Sequence, residues 1–347
     1  MHRVSHLLFA LVVCFAAVFV STLYARIGTA AQDDPCRAPN IRTDVRPDTD
    51  GKPTKVSVGV RMEDLMEIND INKTLSGDFI IVLRWEDPRL SQLNKCEVPL
   101  SEIWSPGLVF INSGRKFANR PKEVNIGPGG RVEYIQRYSG AFATYHNLKD
   151  FPFDKQTFRI SLIPLELSEK DIQLVVDKDV TGRRALLNIS DWDIKGVDGT
   201  IGRQYIAFTN RYYPRYDFNI SASRVEAYYV WKTIIPLCLI VAMSWCVFWI
   251  NPAQFGTQIG LSATSMLTLI AFIFATTNMV PRLGYLTVLD RFIVASTILV
   301  FLALVESLST TYLVSQEKKE LAMRMDKVSR VLFPIAFGAI IIAILIL

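Results

Sequence analysis

Histidine is scarce in this 347-residue chain, which holds three. His2 and His6 stand at the extreme N-terminus, so His146 is the one histidine of the body, and a histidine proton relay inside an apolar segment is excluded. The chain also lacks a Gly-rich phosphate loop, a nucleophile elbow and any metal-ligand spacing, so nothing in it supports an enzyme, a cofactor or a metal site. The formal charge of +5 is modest, and no basic stretch is interleaved with aromatics, which argues against nucleic acid as a partner. Cysteines number five. Cys14, Cys238 and Cys246 fall in apolar segments, leaving Cys36 and Cys96 as disulfide candidates. Bonded or free, both readings stand, because sequence does not give the distance between their Cα atoms.

What the chain has in abundance is apolar residues, half of the total. That is high for a soluble protein of this length and puts a membrane class first. They concentrate in residues 1–31 and from 228 to the end, while residues 32–227 have ordinary soluble composition. Residues 1–31 combine a basic start at Arg3, an apolar run from Leu7 to Val20 and small residues ending at Ala31, the pattern of a cleaved signal peptide. An uncleaved anchor is the other reading, but the run is shorter than the ~20 residues a span needs. Either way, residues 32–227 are exported.

Residues 228–347 hold four apolar stretches of spanning length: Tyr228–Ile250, Thr257–Val280, Leu289–Val314 and Val328–Leu347. With the preceding domain outside, alternation puts Ser315–Lys327 in the cytoplasm. Lys318, Lys319, Arg324 and Lys327 fall there, as the positive-inside rule asks, although Arg282 and Arg291 fall outside. The second stretch alone mixes Ser262, Thr264, Ser265 and Thr268 into its apolar residues. Spacings of four and three give one stripe on it: Gly260, Thr264, Leu267, Ala271, Phe274 and Asn278. Rings of these side chains from several subunits would make a wettable inner mouth with hydrophobic constrictions above it. Small and hydroxylated residues also serve helix packing in lipid, so the stripe by itself leaves both readings open.

Residues 32–227 read as an all-β sandwich. Alternating runs at Thr54–Arg61, Phe79–Trp85, Val132–Arg137, Thr157–Leu162 and Arg215–Arg224 are separated by clusters of Gly, Pro, Asn and Asp.

Several motifs then carry a resemblance. They are Ile103-Trp104-Ser105-Pro106-Gly107, Gly130-Arg131-Val132-Glu133-Tyr134, Phe151-Pro152-Phe153-Asp154-Lys155-Gln156, Tyr229-Val230-Trp231 with Pro236, Ser244-Trp245-Cys246-Val247-Phe248-Trp249, and Pro281-Arg282-Leu283-Gly284-Tyr285. In this order they resemble the pentameric ligand-gated ion channel, or Cys-loop receptor, family over nearly all of the mature chain. Thr144 and Phe158 stand where that family has its paired cysteines, and the loop between the third and fourth helices is short; both resemble its bacterial branch.

The resemblance implies an extracellular immunoglobulin-like β-sandwich followed by an all-α four-helix transmembrane domain, in a homopentamer at the cell membrane. It implies no enzyme activity; the partners are identical subunits, membrane lipid, permeant ions and a small extracellular ligand bound between subunits. The ligand loop lies near Arg203–Tyr213 and offers Tyr205, Phe208, Tyr212 and Tyr213. The remaining positions of the family's aromatic cage fall at Ile80, Ile111 and Leu165, none aromatic, so a full cation cage is not expected. Coupling to the pore is placed at Asp70, Phe153, Asp154, Arg224 and Pro281, with Asp154 paired to Arg224. The family's inner selectivity ring falls at Gly256, Thr257 and Gln258, which carry neither charge signature; the resemblance to bacterial members favours cations. The competing architecture is a membrane-anchored extracellular sensor or enzyme without a pore.

Overall fold

The computed structural model describes residues 36–47, 51–119, 123–277 and 282–346. The expected signal segment 1–31, Asn278 and Pro281 lie outside these. The chain falls into two compact units. The first holds the described parts of 1–51, 84–105 and 121–134, and the second holds residues 52–83, 106–120 and 135 onward.

The strands in chain order are β1 Thr54–Asn69, β2 Thr74–Glu86, β3 Cys96–Pro99, β4 Leu108–Phe110, β5 Ser113–Asn119 and β6 Glu123–Gly127. They continue as β7 Arg131–Ala143, β8 Lys155–Pro164, β9 Ile172–Val176, β10 Gly182–Arg183, β11 Trp192–Ile206 and β12 Arg211–Arg224. Strands β2 and β7 run through both units. In the second unit one sheet has the order β10-β1-β2-β7, with β9 also on β1 and β5 also on β7. The other sheet runs β11-β12-β8-β4.

Alternation builds the core between them. In β8 the pattern buries Gln156, Phe158 and Ile160 while Lys155, Thr157 and Arg159 face out. Phe79 from the first sheet meets Phe218 from the second at 6.2 Å between ring centroids, edge to face. Phe142 lies 5.4 Å from Phe79 and 4.9 Å from Phe110, extending the same aromatic core.

In the first unit β3 pairs with β6, and β6 with Arg131–Glu133 of β7. Trp85 and Trp104 pack edge to face at 6.0 Å, and a disulfide joins Cys36 to Cys96. Gly130 has φ +76°, and its backbone lies so close to Asp87 that a Cβ would sit 2.1 Å from the Asp87 carbonyl oxygen. Only glycine tolerates both conditions.

Among the described residues, four helices long and apolar enough to cross a membrane follow: α1 Ala227–Trp249, α2 Phe255–Thr276, α3 Val288–Ser315 and α4 Lys319–Ile346. In α1, residues Val230–Ile234 form a wider π turn just ahead of Pro236, whose missing N–H leaves the ladder one donor short. Leu237, Val241, Phe248, Leu269, Phe292, Val300, Phe333 and Phe337 make a common core from all four.

The sandwich strands expected from alternation each lie inside an observed strand. Helix α4 departs from expectation: it starts at Lys319, well before the apolar run at Val328. The intervening Glu, Leu, Ala, Met, Arg and Lys are strong helix formers, so the charged stretch extends the helix instead of forming a loop.

Candidate functional site: a stripe on the second helix and a clamp on the third

The second unit contains two arrangements that bear on function. The first is on α2. Gly260, Thr264, Leu267, Ala271 and Phe274 are all exposed in the single chain, Leu267 by 68% and Phe274 by 74%. Gln258, Ser262, Ser265 and Leu269 form the opposite face, buried in the bundle. The hydroxyls thus divide. Thr264 and Thr268 stay on the open side, each donating to the carbonyl four residues back, at 2.8 Å. Gln258 turns inward and donates to the Ile250 carbonyl just past the end of α1, at 3.2 Å, while Gly256 and Thr257 are exposed at the start of α2.

The second arrangement is a clamp. The loop between β7 and β8 carries Phe151-Pro152-Phe153-Asp154, and its backbone is tied to α3. Helix starts leave N–H groups without intrahelical acceptors. Here Val288 donates to the Lys149 carbonyl at 3.0 Å and Leu289 to the Phe151 carbonyl at 3.2 Å. A capping box between Thr287 and Asp290 satisfies further donors of the same turn. The Tyr285 hydroxyl accepts from the Leu148 N–H at 3.0 Å. Leu148, Phe151 and Leu289 form a small core with Tyr229, Ile234 and Leu283. Phe153 is 40% exposed and lines an apolar cavity of about 200 Å³ with Val230, Ile234 and Val288.

Behind the clamp sits an ion cluster at the end of β12. Arg224 Nε donates to Asp154 Oδ1 at 2.7 Å and Nη2 to Asp154 Oδ2 at 3.1 Å, a two-pronged pair. Its third nitrogen, Nη1, reaches Asp70 Oδ2 at 2.7 Å in the β1–β2 turn. The guanidinium carbon lies 4.2 Å from the Trp192 ring centroid and 4.8 Å from that of Phe151. Burial alone would lower the Arg224 pKa, but the bonds from Asp154 and Asp70 outweigh it and raise it. Asp70 behaves as the complement: burial works to raise its carboxyl, and the bonds from His146 and Arg224 win, holding it below the usual range.

The ligand-loop residues lie at the β11–β12 hairpin. The Tyr205 and Tyr212 rings pack at a tilt, with centroids 5.2 Å apart, and are about half exposed, while Phe208 at the tip is 86% exposed. Tyr213 is different. One residue on from Tyr212, it points to the opposite face of β12 and is buried, so its side chain is taken from the hairpin's open face. Ile111 and Leu165 follow β4 and β8 in the same sheet, both exposed, whereas Ile80 is on β2 in the other sheet.

Sequence reasoning named Arg203 only as the start of the ligand loop and missed what its side chain does. Its guanidinium is held by both Glu169 oxygens, at 2.5 and 2.7 Å, and lies 4.8 Å over the Tyr212 ring. It also overlooked Trp192 beneath Arg224, and the contacts of His146, for which being the lone histidine was the available signal.

These features define a class first: a multi-pass membrane protein with four spanning helices after an extracellular β-sandwich. The family models narrow it. The neurotransmitter-gated ion-channel ligand binding domain matches residues 40–225, and the neurotransmitter-gated ion-channel transmembrane region matches 233–321. The chain belongs to this family of ligand-gated ion channels, which are not enzymes. It is 24% identical over 292 residues to a proton-gated ion channel of Gloeobacter violaceus, covering 82% of this chain and 81% of that one. It is 26% identical over 302 residues to the human gamma-aminobutyric acid receptor subunit rho-3, and over 299 residues to the mouse rho-1 subunit. Those alignments take in 82% of this chain but 64% and 62% of the receptor subunits, less than two thirds of their length.

Proposed function

We propose that five copies of this chain form a homopentameric channel in which α2 lines the pore and an extracellular small ligand, bound between subunits, opens it. The observation that carries this reading is the open stripe on α2. An apolar helix that presents Gly260, Thr264, Leu267, Ala271 and Phe274 unpacked needs neighbours, and five such faces around an axis give a polar inner end with hydrophobic rings above. An anchored sensor or enzyme has no use for such a face.

The sandwich, taken as 32–227, transmits through the clamp and ion cluster to the helical domain, 228–347. Asp70, Phe153, Asp154 and Arg224 serve the coupling. The ligand meets Tyr205, Phe208, Tyr212, Ile111 and Leu165 on one subunit and Ile80 on the next. Cations are the expected permeant ions, membrane lipid covers the outer faces of the helices, and no cofactor is needed.

An internal cation already occupies the Tyr212 ring face in the form of Arg203. Acetylcholine-like quaternary amines are therefore expected to evoke weak currents or none. Protons are a second candidate stimulus, favoured by the match to the Gloeobacter proton-gated channel.

Currents in oocytes test the reading, recorded during acid steps and a panel of small ligands with reversal potentials in diluted salt. Five-fold particles in detergent and a gated, cation-selective current are expected. A monomer sinks the pore, a strong chloride preference reverses the ion assignment, and a robust micromolar response to a quaternary amine overturns the account of the ligand loop.

A further inference from the structure

Arg224 and its two carboxylates are part of a longer chain of buried and partly buried side chains. The Thr144 hydroxyl meets His146 Nε2 at 2.7 Å, and His146 Nδ1 meets Asp70 Oδ1 at 2.9 Å. The other Asp70 oxygen takes the Arg224 Nη1 bond already described. His146 has no exposed side-chain surface, and its ring packs 5.0 Å from that of Phe158. The backbone supports the same link, because the Thr144 N–H donates to the Lys73 carbonyl at 2.9 Å in the turn that carries Asp70.

Asp70 is an acceptor at both oxygens, so the Nδ1–H of His146 is the donor. Two donors from different elements therefore fix the Asp70 carboxylate at both ends: His146 from the β7–β8 loop, Arg224 from the end of β12. A carboxylate gripped at one oxygen alone can rotate, and its second oxygen is then left in a largely buried place without its donor.

We infer that His146 is a positioning residue for gating: its Nδ1–H holds the β1–β2 turn so that Asp70 meets Arg224. The inference rests on the proposed coupling role of this junction. The charged groups that bear on it are Asp70 directly, Arg224 through Asp70, and Asp154 through Arg224; Thr144 and Phe158 complete the surroundings without charge.

Three variants of the full chain test it: His146→Asn, which keeps an N–H near the place of Nδ1; His146→Leu, which has none; and Asp70→Asn. Activation curves are taken in oocytes with acid steps and with gamma-aminobutyric acid as stimuli, and melting is measured on protein purified in detergent. His146→Leu is expected to shift the activation midpoint by about tenfold, the scale set by an unsatisfied buried acceptor. His146→Asn should restore most of that shift, and adding Asp70→Asn to His146→Leu should bring little further change. A wild-type midpoint in His146→Leu overturns the inference, as does strict additivity with Asp70→Asn. If wild-type protein gives no current, the channel reading fails by itself. The melting temperatures of the same single and double variants still decide the bond: coupled losses support it and additive losses refute it.

Discussion

Arg224→Met and Asp154→Asn, alone and together, probe the ion cluster most directly. The side chains of Arg224 and Asp154 are 2% and 1% exposed, so neither charge has water to fall back on. Arg224→Met leaves two carboxylates facing each other with no cation, Asp154 keeping the Gln156 side-chain amide at 2.7 Å and Asp70 keeping His146. Breaking a buried pair in this way costs about 3–5 kcal/mol. Asp154→Asn is gentler, since the amide oxygen still accepts from Arg224 and Arg224 retains Asp70. That change costs about 1–3 kcal/mol. In the double variant the stranded charge at position 154 is gone, so the loss falls short of the sum of the singles by roughly 1.5–3 kcal/mol. The stacking of Arg224 on Trp192 and Phe151 is absent from both Met-bearing proteins and cancels from the comparison. Unfolding in detergent reads stability, and the activation midpoint reads gating. Losses that add to within about 0.5 kcal/mol refute the reasoning, because independent sites add and bonded ones do not.

Three further outcomes are expected. Asp70 is depressed on folding, so it stabilises above its unfolded pKa of about 4 and that contribution disappears only as pH falls through the lower folded value. The stability gap between wild type and Asp70→Asn should therefore be level from neutral pH to about 5 and shrink below about 4; a gap that closes near pH 6.5 contradicts the assignment. Replacing Cys36 and Cys96 by serine removes a bridge of sequence separation 60, worth about 4 kcal/mol by chain entropy, and denaturant unfolding with a loss under about 1 kcal/mol would count against that account. Gly130→Ala must relieve the Asp87 overlap and hold a left-handed backbone, so a loss of about 2 kcal/mol or more is expected in thermal melts, and a neutral result would refute the close approach.

Much of the architecture was legible from residue order because it depends on local periodicity. Period-two alternation located β1, β2, β7, β8 and β12, and runs of apolar residues located α1, α2 and α3 within a few residues and the apolar part of α4. Strand β11 carried no such signal. It contains Gly196, Gly199 and Gly202, most of its residues are exposed or partly exposed, and it is a strand because it pairs with β12 along its length. The start of α4 was hidden for a related reason: charged helix formers look like a loop when hydropathy is the guide.

By itself the sequence determined the order of an exported β-domain and four spanning helices, the motif order of a ligand-gated channel, and the spacing of the stripe on α2. Each is a property of neighbours along the chain or of residue type. Tertiary structure alone decided that Cys36 meets Cys96, that Gln258 turns inward, that Arg203 sits on Tyr212, and that His146, Asp70, Arg224 and Asp154 join in one largely buried chain. Those partners are far apart in sequence, or choose among faces that the spacing allows, and hydrogen-bond geometry becomes fixed when packing excludes water and leaves each polar atom one partner it can reach.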